Sequence, residues 1–126
     1  MKTLDMRLVI ADDSSIMRER IKSQAGQFEE VIVVGEAENG KIALEMILRL
    51  APDLVFLDLQ MPEMGGIEVL RKVKEAKLKT KVCILTNYSF PQYRTRSLAI
   101  GADFFLCKSE EFEKTSTVIA DMLKVS

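Results

Sequence analysis

Five short apolar runs punctuate the chain: LVIA (8–11), VIVV (31–34), LVFL (54–57), VCIL (82–85) and FFLC (104–107). They are rich in β-branched residues and do not alternate apolar with polar, as strands covered on both faces of a parallel sheet do. A run of this length can also be a piece of buried helix, so the intervening segments decide the matter. After the first run, Met17, Ile21, Gln24 and Phe28 step by four, three and four with charged residues between them, which predicts an amphipathic helix. After the second, Ile42, Ala43, Met46, Ile47 and Leu50 form one stripe, with Asn39 placed as an N-cap. After the third and a loop holding Pro62, Gly65 and Gly66, Ile67, Leu70 and Val73 share a face. After the fourth, Pro91 suits a first helical turn. After the fifth, Ser109 is placed as a cap, Glu110 and Glu111 suit the positive end of a helix, and Phe112, Ser116, Ile119 and Leu123 make its stripe.

Five strand–helix units in strict alternation predict an α/β fold with a parallel sheet and right-handed crossovers. They are too few for an eight-fold barrel, which leaves an open doubly wound five-stranded sheet. The fourth helix stands apart. FPQYRTRSLAI places Tyr93, Arg94, Arg96 and Ser97 where the others carry aliphatics, so its core-facing stripe is thin; it reads equally as a weakly anchored, locally mobile helix or as a short surface helix. The stretch RKVKEAKLKTK (71–81) holds six cations and one acid. It is read first as a helix end complementing its dipole, and second as a docking patch for an acidic partner.

At 126 residues the chain has the length of one domain. Apolar residues are 48% and charged residues 29%, an ordinary globular balance. A net charge of −1 argues against wholesale affinity for nucleic acid. No apolar run approaches the ~20 residues that span a bilayer, and the start has no signal-peptide core, so a cytoplasmic protein is expected. Cys83 and Cys107 lie inside apolar runs and read as reduced, buried small hydrophobes. The absence of histidine excludes Ser-His and Cys-His catalysis, zincin chemistry and a phosphohistidine on this chain. Any chemistry belongs to carboxylates, Lys, Ser, Thr or Tyr.

In open α/β sheets, ligands bind beyond the carboxyl ends of the strands, where the strand order switches. The first strand ends in Asp12-Asp13, the second in Glu36-Ala37-Glu38, the third in Asp58, the fourth in Thr86 and the fifth in Lys108. Each is unremarkable alone; together they put carboxylates, a hydroxyl and an ammonium on one rim. Clustered carboxylates repel unless a cation holds them. Without imidazole or thiolate beside them, a hard oxygen-ligated ion is expected, and magnesium (Mg²⁺) takes one or two carboxylates and leaves positions for a phosphate. Lys supplies a point charge for a phosphoryl oxygen, and a carboxylate beside Mg²⁺ can serve as the nucleophile of phosphoryl transfer.

IADDSSIMR, PDLVFLDLQMPEMGG, ILTNY and GADFFLCK together resemble the receiver domain of two-component response regulators, in order and over essentially the whole chain. The resemblance implies a single receiver domain over 1–126 with the flavodoxin-like strand order 2-1-3-4-5. It implies that Asp58 accepts the phosphoryl group and that Asp13, Asp58 and the backbone carbonyl of Gln60 ligate Mg²⁺, Asp12 holding a metal-bound water. It implies that Lys108 pairs with Asp58 and then with its phosphate, that Thr86 donates to a phosphoryl oxygen, and that Phe105 is the switch aromatic that packs inward when Thr86 moves. The output surface would be the fourth helix, fifth strand and fifth helix. The implied partners are a histidine kinase or histidine phosphotransfer protein, which supplies the phosphohistidine, and a downstream protein target. Neither direct nucleic-acid binding nor a membrane is expected. The only enzymatic chemistry would be the chain's own phosphorylation and dephosphorylation.

Four positions bear on how far the sequence follows the family pattern. Ser109 stands where proline usually follows the lysine through a cis peptide; a cis bond without proline costs about 2.5–4 kcal/mol, and a trans bond would shift the loop. Phe105 replaces a frequent tyrosine. Gln60 and Tyr88 lie two residues beyond Asp58 and Thr86, positions that flank the path of the hydrolytic water in the family, and a bulky Tyr88 would lengthen the phosphate's lifetime. The chain ends just after the fifth helix, which favours a stand-alone regulator, although LCKSEEF also suits a receiver from a DNA-binding regulator. Other readings are a degenerate receiver that signals without phosphate, a small Mg²⁺-dependent phosphatase working through an aspartyl phosphate, and a flavodoxin-like cofactor binder. The phosphatase would need an acid two residues after its nucleophile, where Ser14 stands, and a cap domain. The cofactor binder would need a phosphate loop in place of Asp12-Asp13.

Overall fold

The computed structural model describes residues 5–88 and 90–124. Five strands, β1 (Met6–Ala11), β2 (Val31–Ala37), β3 (Leu54–Leu57), β4 (Lys81–Thr86) and β5 (Phe104–Cys107), pair in parallel in the order β2-β1-β3-β4-β5. Six helices connect or follow them: α1 (Ser15–Ala25), α2 (Gly40–Leu50), α3 (Gly66–Glu75), α4 (Pro91–Ile100), α5 (Lys108–Glu111) and α6 (Lys114–Lys124). The expected order and the doubly wound α/β fold are both present.

The sheet separates two cores. On one face, Val9, Val55, Leu57, Val82 and Ile84 pack against Ala43 and Ile47 of α2 and Val69, Leu70 and Val73 of α3, with Tyr93 and Ile100 of α4 at the margin. On the other, Leu8, Ile10, Leu54, Phe56, Cys83 and Leu85 meet Ile21 and Ala25 of α1 and Val118 and Ile119 of α6. Each fully buried aliphatic contributes roughly 1.5–3 kcal/mol. The central strands alternate their side chains between two apolar faces, which is why their runs carry no polar residue.

The second run is different. β2 is an edge strand: Val31, Val33 and Val34 are half-buried and Ile32 is exposed. Full burial was expected there; with β1 on one side only, helices cover the edge incompletely. β2 also carries an irregularity, since Leu8 pairs with Val33 but Val9 with Gly35.

Ser14 and Asn39 cap α1 and α2, accepting from the backbone N–H of Met17 and Ile42 at 3.1 and 2.8 Å. Pro91 opens α4 as expected. Ile42 is exposed rather than part of the buried stripe, because it lies in the first turn of α2, beside the cap. Phe28 packs on the core from beyond the end of α1. The expected fifth helix is two helices, broken around Phe112, whose ring is buried under the Arg20 guanidinium, 4.1 Å from its centroid. Ser109 is therefore not a cap. It lies in the first turn of α5, and the Glu111 carboxylate accepts from the Cys107 N–H at 3.0 Å instead. Within the 71–81 stretch, Lys74 and Lys81 both pair with Asp103, at 3.1 and 3.7 Å, so two of the six cations serve the fold. Among the described residues no helix is long and apolar enough to cross a membrane.

Candidate functional site

β1 and β3 are adjacent, while the chain after β1 turns outward to β2 and the chain after β3 turns the other way to β4. That reversal opens a crevice at the carboxyl ends of the two strands. Asp12 follows β1 directly and Asp58 follows β3 directly. The Asp12 N–H donates to the Ala37 carbonyl and the Asp58 N–H to the Ala11 carbonyl, both at 3.0 Å, so the ladder itself fixes both carboxylates. Asp12 is 1% exposed and Asp58 5%, whereas Asp13 opens to solvent. Carboxylate oxygens of the three lie within 4.8 Å of one another.

Lys108, at the end of β5, reaches into this cluster. Its Nζ lies 2.7 Å from Asp12 Oδ2 and 2.9 Å from Asp58 Oδ2. Every peptide bond among the described residues is trans, Lys108–Ser109 included. The lysine thus reaches both acids without a cis bond. Burial is the largest influence on Asp12 and holds its carboxyl above the ordinary range despite the ammonium beside it. Burial pulls Lys108 down, but its hydrogen bonds to Asp12 and Asp58 outweigh it, and the ammonium is held above its ordinary value. Lys108 is therefore charged at neutral pH. Three carboxylates against one ammonium leave two negative charges to be met, and the donors are all hard oxygens. That donor set and that charge fit a divalent Mg²⁺ ion.

Around the acids is a cleft of about 510 Å³ lined by Asp13, Ser14, Asp58, Gln60, Met61, Pro62, Thr86, Asn87 and Lys108. The Gln60 N–H donates to Asp58 Oδ1 at 3.2 Å and the Ser14 N–H to Asp12 Oδ1 at 2.9 Å. Both contacts orient a carboxylate from the loop that follows it. Gly66 lets the start of α3 lie against the base of this loop: a Cβ there would run into the Asp58 carbonyl. Thr86 is buried and its Oγ accepts from the Tyr88 N–H at 3.1 Å. Tyr88 leans on Tyr93, ring centroids 5.4 Å apart. Phe105 is 5% exposed, its ring inside the core beneath α4.

The sequence-predicted residues Asp12, Asp13, Asp58, Gln60, Thr86 and Lys108 thus share one site. Glu36 and Glu38 do not join it. Glu36 pairs instead with Arg18 at 3.1 Å and Lys22 at 2.9 Å, because β2 lies outside the crevice and faces α1. The sequence reading missed Asn87 and Arg18. Asn87 lines the cleft directly after Thr86. Arg18 donates to the Asp12 carbonyl at 2.7 Å while holding Glu36. Its position one helical turn beyond the Ser14 cap was the available signal.

Residues 8–120 match the profile of the response regulator receiver domain. The chain is 36% identical over 107 residues to the transcriptional regulatory protein YdfI of Bacillus subtilis (strain 168), covering 85% of this chain and 50% of that protein. It is 34% identical over 106 residues to the nitrate/nitrite response regulator protein NarL of Escherichia coli (strain K12), covering 84% and 49%. It thus spans about half the length of these relatives. Among solved structures it resembles the signal receiver domain of the putative response regulator NarL from Mycobacterium tuberculosis, with a TM-score of 0.89 at 31% identity, covering 98% of this chain and 100% of that one. The response regulator domain of Thermotoga maritima CheB follows it with a TM-score of 0.82 at 26% identity, covering 96% and 95%. With the family profile running over most of the chain and solved receivers following its whole fold, this chain belongs to the response regulator receiver domains.

Proposed function

We propose that the chain, one receiver domain over 1–126, is a phosphorylation-activated switch of two-component signalling in which Asp58 accepts a phosphoryl group from a phosphohistidine on a partner protein. The observation that carries this reading is Asp58 itself: nearly buried, open to the cleft, paired with Lys108 and set beside two further carboxylates. A histidine kinase or histidine phosphotransfer protein is the donor, since this chain has no histidine. An Asp58 oxygen attacks phosphorus, the P–N bond to the imidazole breaks with its electron pair going to nitrogen, and an acyl phosphate remains on Asp58.

Asp13, Asp58 and the Gln60 carbonyl would hold Mg²⁺, with Asp12 acting through a bound water. When bound, the ion neutralises the cluster and the charge on the phosphoryl oxygens. Lys108 leaves its bridge between Asp12 and Asp58 to pair with the phosphoryl group. Thr86 keeps a hydroxyl proton to donate to it, its oxygen already accepting from Tyr88. The phosphoryl group stabilises the arrangement in which Thr86 and Lys108 both engage it, and the population shifts accordingly. Phe105 packs inward in that arrangement, and α4, β5 and the helices that follow form the face presented to a downstream protein.

Intact mass after incubation with acetyl phosphate tests this, with and without Mg²⁺ and with an Asp58→Asn variant alongside. One phosphoryl adduct requiring both Mg²⁺ and Asp58 is expected. A folded protein that gains no adduct under any condition would overturn the reading in favour of a receiver that docks without phosphate.

A further inference from the structure

β5 pairs only with β4, so one side of its backbone has no ladder partner. Arg94 of α4 reaches β5 at Phe105. Its Nη1 donates to the Phe105 carbonyl at 3.1 Å, and its guanidinium carbon lies 5.7 Å from the centroid of the Phe105 ring. One side chain therefore grips both the backbone and the ring of the same residue. The rest of α4 holds on lightly. Ser97 is its only buried residue, and the Ser97 hydroxyl is buried with no hydrogen-bond partner. Arg94 also bears on the next segment: Glu111, which accepts from the Cys107 N–H beside Lys108 and pairs with Lys114, is held below its ordinary range chiefly by those two contacts and further by the Arg94 charge.

We propose that Arg94 is a positioning residue of the switch: by gripping the carbonyl and ring of Phe105 together, it holds the aromatic inward and ties occupancy of Asp58 to the placement of α4. The proposal rests on the reading of Phe105 as the switch aromatic. By linkage, whatever holds the binding-competent arrangement in the free protein raises the affinity of a phosphoryl-like ligand, and removing it lowers that affinity. The guanidinium supplies both a planar face for the ring and a directed donor for the carbonyl, whereas an ammonium supplies only the charge.

Calorimetric titration with beryllofluoride and Mg²⁺ tests this in wild type, Arg94→Ala, Arg94→Lys and Arg96→Ala. Arg94→Ala is expected to weaken binding about two- to fivefold, the scale of an exposed cation–π contact. Arg94→Lys should fall between that and wild type. Arg96→Ala, on the same helix but bordering the α3–α4 groove, should bind as wild type does. Beryllofluoride should also slow amide exchange across Pro91–Ile100 in the wild type and fail to do so in Arg94→Ala. A purely structural Arg94 would lower the unfolding midpoint and leave affinity and exchange response unchanged; that result would overturn the proposal alone. A wild type that does not bind beryllofluoride would overturn the receiver reading and the proposal with it.

Discussion

Asp12 is the most deeply buried of the three carboxylates, and its ionised form is the one the fold least favours. In the absence of metal, its charge costs more through lost hydration than Lys108 returns. Asn at this position removes the charge and keeps an oxygen for the Ser14 N–H. Asp12→Asn is therefore expected to leave the metal-free protein as stable or up to about 1 kcal/mol more stable, as functional sites often trade stability for chemistry. The same variant should lose about 10- to 100-fold in Mg²⁺ affinity, the scale of removing an outer partner of a metal site. Urea unfolding in chelator and a Mg²⁺ titration read the two effects. A marked destabilisation of the metal-free variant would show that the Lys108 pair outweighs burial. Cys83 contrasts with this at the same scale. Burial pushes its thiol up, so it stays protonated and unreactive, as its place inside a strand predicts.

Among the longer helices, α4 alone buries no apolar side chain fully, and its sequence shows why. Tyr93 and Ile100 only flank the core, and the one fully buried position is a serine whose hydroxyl bonds to nothing. A buried unsatisfied hydroxyl costs about 1–3 kcal/mol relative to a satisfied one. Ser97→Ala removes that penalty and favours helix, so it should raise the urea midpoint by the equivalent of about 1 kcal/mol. A variant less stable than wild type would show that Ser97 is satisfied in solution. The thin stripe of α4 was visible in FPQYRTRSLAI; the grip of Arg94 on Phe105 was not. The two residues are on different elements and meet only when α4 packs against β5. The break between α5 and α6 was equally hidden, because Phe112, Ile119 and Leu123 keep helical spacing across it.

At the scale of the whole molecule, charge outside the site joins α1 to β2. Lys22 chiefly holds the Glu36 carboxyl below its ordinary value; burial opposes it, and Arg18 adds a further lowering. A depressed folded value means that the unfolded chain binds the proton more tightly. Glu36 therefore contributes stability above the ordinary glutamate value of about 4.5, and loses it as pH falls through the lower folded value. Asp12 acts in the opposite sense, since its raised value favours the folded state as it takes up a proton. Glu36→Gln should flatten the loss of stability below about pH 4.5 while leaving Mg²⁺ binding unchanged, as read by unfolding midpoints across pH and by titration. An unaltered pH profile would show that the exposed pair is screened by solvent. Spacing and residue chemistry alone carried the alternation of strands and helices, the cap at Asn39, and the acids and lysine at the strand ends. Those features are local, written in spacing and in the chemistry of single residues. The resemblance supplied the strand order. Packing in three dimensions was needed to show that β2 is a half-exposed edge, that Glu36 serves α1 rather than the acidic site, and that Lys108 bridges Asp12 and Asp58 through a trans bond. Each depends on which segments become neighbours across the sheet, and distance in space between residues far apart in the chain is set by packing.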